Sequence, residues 1–389
     1  MRSFHLVGLL PAVLAGPIAQ RSEPAPLLVP EDVNHVIPDR YIVTLRDEVG
    51  VQAVEDLATS MSADADHVYD EVFKGFAGTF NETTLSALRN HNQVDFIEKD
   101  TVVTMSCAQQ RNSDWGLARM SSKRKGEKNY RYNEIAGSGA CAYVIDTGID
   151  DKHPDFERRA KQIKTFVKGQ KTDGQGHGTH CAGTIGSKTY GVAKKIKLFG
   201  VKVLDNQGSG SASSVIAGMN FVARDHKKRG CKKGVVVNMS LGGPYSKAQN
   251  QAAAALVRSG AFVAVAAGNS KADAAKTSPA SEKTVCTVGA SDINDNFASF
   301  SNYGKSVAII APGVDILSTL PGKKTGKLSG TSMASPHIAG LAGYIASRDG
   351  VKAGNLCRRL QQLSTKKALK KVPRSTVNNL AYNGVQEKC

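Results

Sequence analysis

The stretch "CAYVIDTGI" (Cys141–Ile149) is an apolar run that ends in a carboxylate followed by Thr and Gly. A strand with one wet face alternates apolar and polar residues, but this one is apolar on both sides of the pleat as far as Asp146. Both faces therefore need cover. The same pattern returns in "KLFGVKVL" (Lys197–Leu204), "GVVVNMSLGG" (Gly234–Gly243), "AFVAVAAGN" (Ala261–Asn269), "TVCTVGAS" (Thr284–Ser291) and "SVAIIAPG" (Ser306–Gly313). Segments of helical length, rich in small residues, separate these runs. The alternation predicts an α/β domain over 107–389, a three-layer, doubly wound and mostly parallel sheet. In such a sheet, chemistry gathers beyond the carboxyl ends of the strands.

The chain of 389 residues has room for more than this domain. Met1-Arg2, an apolar run from Leu6 to Leu14 and small residues at Ala15, Gly16 and Ala19 predict a secretory signal over 1–19. That run is too short to span a bilayer, so no membrane anchoring is expected and the mature product should be secreted. A Pro-rich linker follows over 20–38. Residues 39–106 read as a small α+β module of ferredoxin-like type. A strand lies at Arg40–Leu45 and a helix from Val49 to Met61. Two strands lie in "HVYDEVFKGFAGTF" (His67–Phe80), a second helix runs from Thr84 to Asn90, and final strands lie in "VDFIEKDTVVTM" (Val94–Met105).

Charge separates the modules. Residues 1–107 carry seven Lys+Arg against sixteen Asp+Glu, a net of −9, while the whole chain stands at +17, which leaves +26 for the remainder. The basic residues are scattered singles and pairs, without interleaved aromatics or a nucleic-acid motif, so no nucleic-acid partner is expected. Adsorption to acidic surfaces or substrates fits better.

The polar residues of interest stand where the runs end. Asp146 closes the first run, and Asn269 closes "AFVAVAAGN". His177 sits in "GQGHGTHC" (Gly174–Cys181), at the glycine-flanked entry to a helix. Ser332 sits in "SGTSMASPHIAGLAGYIA" (Ser329–Ala346), where a turn delivers it to a helix rich in Ala and Gly. Pro336 is read as lying in that helix's first turn, where a missing N–H costs nothing. Each residue alone has an ordinary explanation as a turn or cap. Together, an Asp, a His and a Ser on separate segments make a nucleophile, its base and the group orienting that base. An amide such as Asn269 can donate to a developing oxyanion.

"VIDTGID", "DGQGHGTHCAG", "VNMSLGG", "AVAAGN" and "SGTSMASPHIAG" resemble the signature segments of the subtilisin-like serine proteases. The flanks "WGLARM", "YGVAKKIKLFGVKVLDNQGSGS", "SPASEKTVCTVGASD" and "SFSNYG" are similar to the proteinase K-like branch, particularly its secreted fungal, cuticle-degrading members. The resemblance covers about Trp115 to Tyr382, and the acidic module resembles the family's inhibitory propeptide.

It implies a monomeric serine endopeptidase acting on proteins and peptides through an acyl-enzyme, made as a self-processed zymogen inhibited by its own propeptide. Ser332 would be the nucleophile, His177 the general base and then acid, and Asp146 its orienting partner. Asn269 and the Ser332 N–H would form the oxyanion hole. Ser240, Leu241 and Gly242, with Ala266 and Gly268, would line the primary pocket, suited to apolar or aromatic residues, and Gly208 and Gly210 the facing edge. At Ala212, relatives often carry a Tyr lid.

The same resemblance implies disulfides Cys141–Cys231 and Cys286–Cys357, and a free Cys181. Of the seven cysteines this leaves Cys107 and Cys389, for which a bridge between the two is one hypothesis. Calcium sites of the branch call for an Asp where Ala308 stands, near Lys283 and Val285. A second, weaker site falls on Lys123 and Ala368. Hard cations need charged oxygen ligands, so no metal or other cofactor is expected.

Asn238 and Asn81 stand in glycosylation sequons, the first in a core strand and therefore unused. His153 and His226 are expected at the surface and His337 inside its helix. Two other readings remain open: a binding protein with an inactive site, and a zinc hydrolase built on His177, His180 and Cys181.

Overall fold

The computed structural model describes residues 22–30, 33, 36–60, 64–102 and 107–385. The expected signal and Cys389 lie outside these. The chain forms two compact units, Met1–Met105 and Ser106–Cys389.

In the second unit the six apolar runs become strands β1 (Cys141–Asp146), β3 (Lys197–Lys202), β4 (Val235–Met239), β5 (Phe262–Ala266), β6 (Cys286–Ser291) and β7 (Ile309–Pro312), with β2 (Ala160–Thr165) between the first two. All pair in parallel, in the order β2-β3-β1-β4-β5-β6-β7. Two short strands, Thr365–Lys366 and Asn379–Leu380, extend the β7 edge.

Successive side chains of a strand serve opposite layers. From β1, Ala142 and Val144 join a cluster with Ile185, Ile338, Leu341 and Ile345, while Tyr143 and Ile145 join a second one with Val215, Met219 and Leu256. The first layer holds helices α1 (His177–Gly186) and α4 (Thr331–Asp349), the second α2 (Ala212–Asp225) and α3 (Lys247–Arg258). This is the three-layer, doubly wound arrangement expected of runs apolar on both faces.

The winding reverses at β1. One branch of the chain leaves it toward β3 and β2, and the other begins at β4 on its opposite side. A crevice opens beyond the carboxyl ends of β1 and β4 at this switch point, where Asp146 and Ser240 emerge.

The first unit is a five-stranded sheet. Val36–Leu45, Asp64–Tyr69, Gly75–Thr79 and Val94–Thr101 pair antiparallel, and Leu27–Leu28 adds a parallel edge. Helices Val51–Ser60 and Glu82–Asn90 contribute Val54, Leu57, Leu85 and Leu88 to a core with Val43, Phe76 and Ile97. Of residues 94–105, read as more than one strand, the described ones, 94–102, hold a single strand at Val94–Thr101.

Candidate active site

Asp146 is fully buried at the end of β1. Its Oδ1 accepts from His177 Nδ1 at 2.7 Å and from Thr147 N at 2.7 Å. Since Asp146 is the acceptor, Nδ1 carries the proton and Nε2 keeps its lone pair. The His177 side chain, 22% exposed, faces a cavity of about 480 Å³ lined also by Thr147, Gln175, Leu204 and Ser240. Burial opposes protonation of His177, but the charge of Asp146, the hydrogen bond to it and the charge of Asp173 hold its pKa above the ordinary imidazole value.

Local geometry explains the glycines around this histidine. Gly176 caps α1 at φ 106°, a conformation L-residues avoid. A Cβ on Gly178 would lie 2.1 Å from the Gly148 carbonyl, so only glycine lets the two segments close.

Ser332 is the second residue of α4. Its Oγ donates to Ser240 O at 3.3 Å, and its carbonyl accepts from Ser240 Oγ at 2.7 Å and Cys181 Sγ at 3.4 Å. Pro336 is not in the first turn, as the sequence suggested, but sixth in the helix. Its missing N–H would have bonded the Ser332 carbonyl, four residues back. The Ser240 hydroxyl and Cys181 thiol satisfy that carbonyl instead, so the proline ties α4 to β4 and α1 without leaving an orphan.

Asn269 Oδ1 accepts from Thr331 N and Thr331 Oγ1, both at 2.8 Å, which turns Nδ2 the other way. A Cβ built on Gly330 would lie 3.3 Å from Asn269 Nδ2 and 3.5 Å from Ser332 N. Two N–H donors therefore border one small space beside the serine.

Of the expected pocket residues, Gly208, Gly210, Ser240, Leu241 and Gly242 line the His177 cavity. The Ser240 hydroxyl donates to the Ser332 carbonyl at 2.7 Å and accepts from Asn238 Nδ2 at 3.0 Å. Ala266 ends β5, 6% exposed, and Gly268 is held by Thr331 Oγ1 at 3.0 Å; neither lines this cavity. Gln175, Leu204 and Gln207 do line it without having been singled out; their only signal was that they stand within the quoted segments. Asn238, the buried sequon residue, also accepts from Ser335 Oγ at 2.8 Å.

The other histidines divide by burial. His180 Nε2 donates to Ile316 O at 2.9 Å and Gly326 O at 3.1 Å, and burial pushes its pKa down to about 4. His337 donates through Nδ1 to Met333 O at 2.8 Å and is likewise pushed down to about 4 by burial. His153, expected at the surface, is 4% exposed, because its ring bridges Asp155 N at 3.2 Å and Lys324 O at 3.0 Å. One partner, Asp155 N, is local, but the Lys324 carbonyl that covers the other side of the ring arrives from far along the chain.

Ligand atoms of Asp146, His177 and Cys181 lie within 4.8 Å of one another. Zinc binds thiolate, and the Cys181 thiol is pushed well up by burial and by the charge of Asp146. His180 faces carbonyls rather than this group. Two of the three side chains already have partners within the protein, His177 Nδ1 on Asp146 and Cys181 Sγ on the Ser332 carbonyl. The bridges Cys141–Cys231 and Cys286–Cys357 are formed, and Cys181 is free and buried. Cys107 is also disulfide-bonded, while its hypothesised partner Cys389 lies outside the described residues.

A buried carboxylate holding an imidazole, a helix-borne serine joined to the same cavity through Ser240, and two amide donors, on a doubly wound sheet, are the equipment of a serine endopeptidase. The sequence pattern of the subtilase family matches residues 137–389, and that of the peptidase inhibitor I9 family matches residues 40–106. The chain belongs to the subtilase family and is a serine endopeptidase with an N-terminal I9 domain. It is 55% identical to the cuticle-degrading protease of Metarhizium anisopliae, over 97% of this chain and 98% of that one. It is 51% identical to proteinase R of Parengyodontium album, over 99% of this chain and all of the relative. Among solved structures, a cold adapted subtilisin-like serine proteinase matches with TM-score 0.66 and 39% identity, over 71% of this chain and all of the other. No helix among the described residues is long and apolar enough to cross a membrane.

Proposed function

We propose that this protein is a secreted, broad-specificity endopeptidase in which Ser332, His177 and Asp146 carry the chemistry. The observation behind this reading is the 2.7 Å contact that leaves His177 Nε2 unprotonated, at a cavity lined by Ser240, whose carbonyl accepts from Ser332 Oγ. Ser332 Oγ leaves Ser240 O, gives its proton to Nε2 and attacks the scissile carbonyl. Asp146 stabilises the imidazolium formed. The oxyanion settles between Asn269 Nδ2 and Ser332 N. His177 then protonates the leaving amine, and water releases the acyl group with the same base.

Substrate would lie along Gly208–Gly210 and Ser240–Gly242 as an added strand, with an apolar or aromatic side chain before the cleaved bond. Its natural substrates would be extracellular proteins, insect cuticle among them, as the name of the Metarhizium relative suggests. The acidic I9 domain would inhibit its basic partner until self-cleavage near residue 106, and opposite charges favour that pairing.

The reading includes no tight calcium. Ala308 contributes a methyl group where the branch uses a carboxylate, and its carbonyl is occupied by Gln361 Nε2 at 2.9 Å. Lys123 Nζ lies 5.5 Å over the Tyr382 ring, and Ala368 packs among apolar side chains. These residues do not fit a hard cation.

A fluorophosphonate probe should label Ser332 alone, and Ser332→Ala should lose both label and cleavage of a peptide library. Cleavage retained by Ser332→Ala would end this reading, and an unlabelled wild-type serine would favour the binding-protein alternative.

A further inference from the structure

Behind the Asp–His pair stands a second carboxylate that the chemistry above does not use. Asp173 lies four residues before His177, in the loop leading into α1, and is 5% exposed. Five donors converge on it. Oδ1 accepts from Thr147 Oγ1 at 2.9 Å, Gln175 N at 3.1 Å and Gly176 N at 2.8 Å. Oδ2 accepts from Thr179 N at 2.9 Å and Thr179 Oγ1 at 2.5 Å. Thr147 follows Asp146 directly, and the other donors flank His177 on both sides. Thr147 Oγ1 in turn accepts from Gly178 N at 2.9 Å, so one carboxylate and one hydroxyl lock the two segments together.

The cation of this region is Lys202, at the end of β3 and fully buried. Its Nζ donates to Thr147 O at 2.7 Å and Asn206 Oδ1 at 3.0 Å, and that amide oxygen also accepts from Gly174 N at 3.3 Å. Lys202 therefore ties the Asp146 segment, through Thr147 O, to the Asp173 loop, through Asn206.

We propose that Asp173 is a positioning residue for the Asp146–His177 pair: it fixes the two segments at one separation and keeps a second negative charge behind the imidazole, offset by Lys202. The inference rests on reading His177 as the general base. The imidazole is surrounded by Asp146 on β1, Asp173 in its loop, and His180 and Cys181 on its own helix. Lys202 and Asp205 stand behind Asp146. Both neighbouring carboxylates favour the imidazolium that forms when Ser332 gives up its proton. Asp146 does so through contact and Asp173 through space, against the opposing effect of burial.

Asp173→Asn keeps the volume and removes the charge. Its kcat/KM profile with a small ester substrate should show the acid limb moved to lower pH, because the base has become weaker. Its kcat should fall by up to about 10²-fold with KM little changed, the cost of a misplaced ring. Lys202→Met should move the limb the opposite way. A scaffold role alone would lower melting temperature and yield without moving either limb. Unmoved limbs in both variants would overturn the inference.

Should the Asn variant fail to mature, Lys202→Met and an NMR titration of His177 in that variant and in the wild-type protein decide. An imidazole pKa that is the same in Lys202→Met as in the wild type would overturn it as well. Probe labelling of wild-type Ser332 separates the two levels. If the label is present and the limbs do not move, only this inference fails; if the label is absent, the reading of the site fails.

Discussion

Asn269 is exposed, yet its side chain has no freedom to turn. Both hydrogen bonds of Thr331 hold its Oδ1, so Nδ2 is aimed before any substrate arrives. Such a donor stabilises charge that appears only in the transition state. Asn269→Ala should therefore lower kcat by about 10²–10³ while KM changes little. Steady-state kinetics on one peptide substrate checks this; a raised KM with kcat intact would assign Asn269 to ground-state binding instead. At this scale identical residue types have different fates. His177 keeps a lone pair toward the cavity, whereas His180 and His337 spend their N–H groups on buried carbonyls.

At the scale of elements, the site depends on how closely α4 approaches α1. Gly340 faces the Ile185 carbonyl, and a Cβ there would lie 2.8 Å from that oxygen and 3.0 Å from Val192 Cβ. In an exposed helix, Gly→Ala would stabilise by up to about 1 kcal/mol. Here the neighbour is backbone and cannot step aside, so Gly340→Ala should instead destabilise, by about 1–3 kcal/mol. Thermal or urea melting decides between these opposite signs. The same closeness brings Ser240 and Cys181 to the Ser332 carbonyl freed by Pro336. On sequence alone Pro336 falls in the first turn, where no hydrogen bond is lost; only the structure shows the carbonyl it frees and what satisfies it.

At the scale of the molecule, the second unit is held by disulfides and a large core. Cys141–Cys231 and Cys286–Cys357 span 90 and 71 residues, long loops that restrict the unfolded chain. With Ala308 in place of a carboxylate, EDTA should leave the melting temperature of the mature enzyme unchanged. A fall reversed by added calcium would contradict that expectation.

Much of this was legible without coordinates. Runs apolar on both faces dictate a covered parallel sheet, and Asp146, His177, Asn269 and Ser332 each stand in a motif whose local pattern is distinctive. Strand periodicity and short motifs are local properties, so the sequence by itself determined the architecture and the chemical residue types. The tertiary structure alone decided that Asp173 joins the Thr147 and Thr179 segments, that Lys202 stands behind them, and that His153 is buried under the Lys324 carbonyl. Each of those contacts depends on which distant segments meet when the sheet winds. Hydrogen bonds and buried charges act over a few ångströms of space, whatever the separation along the chain.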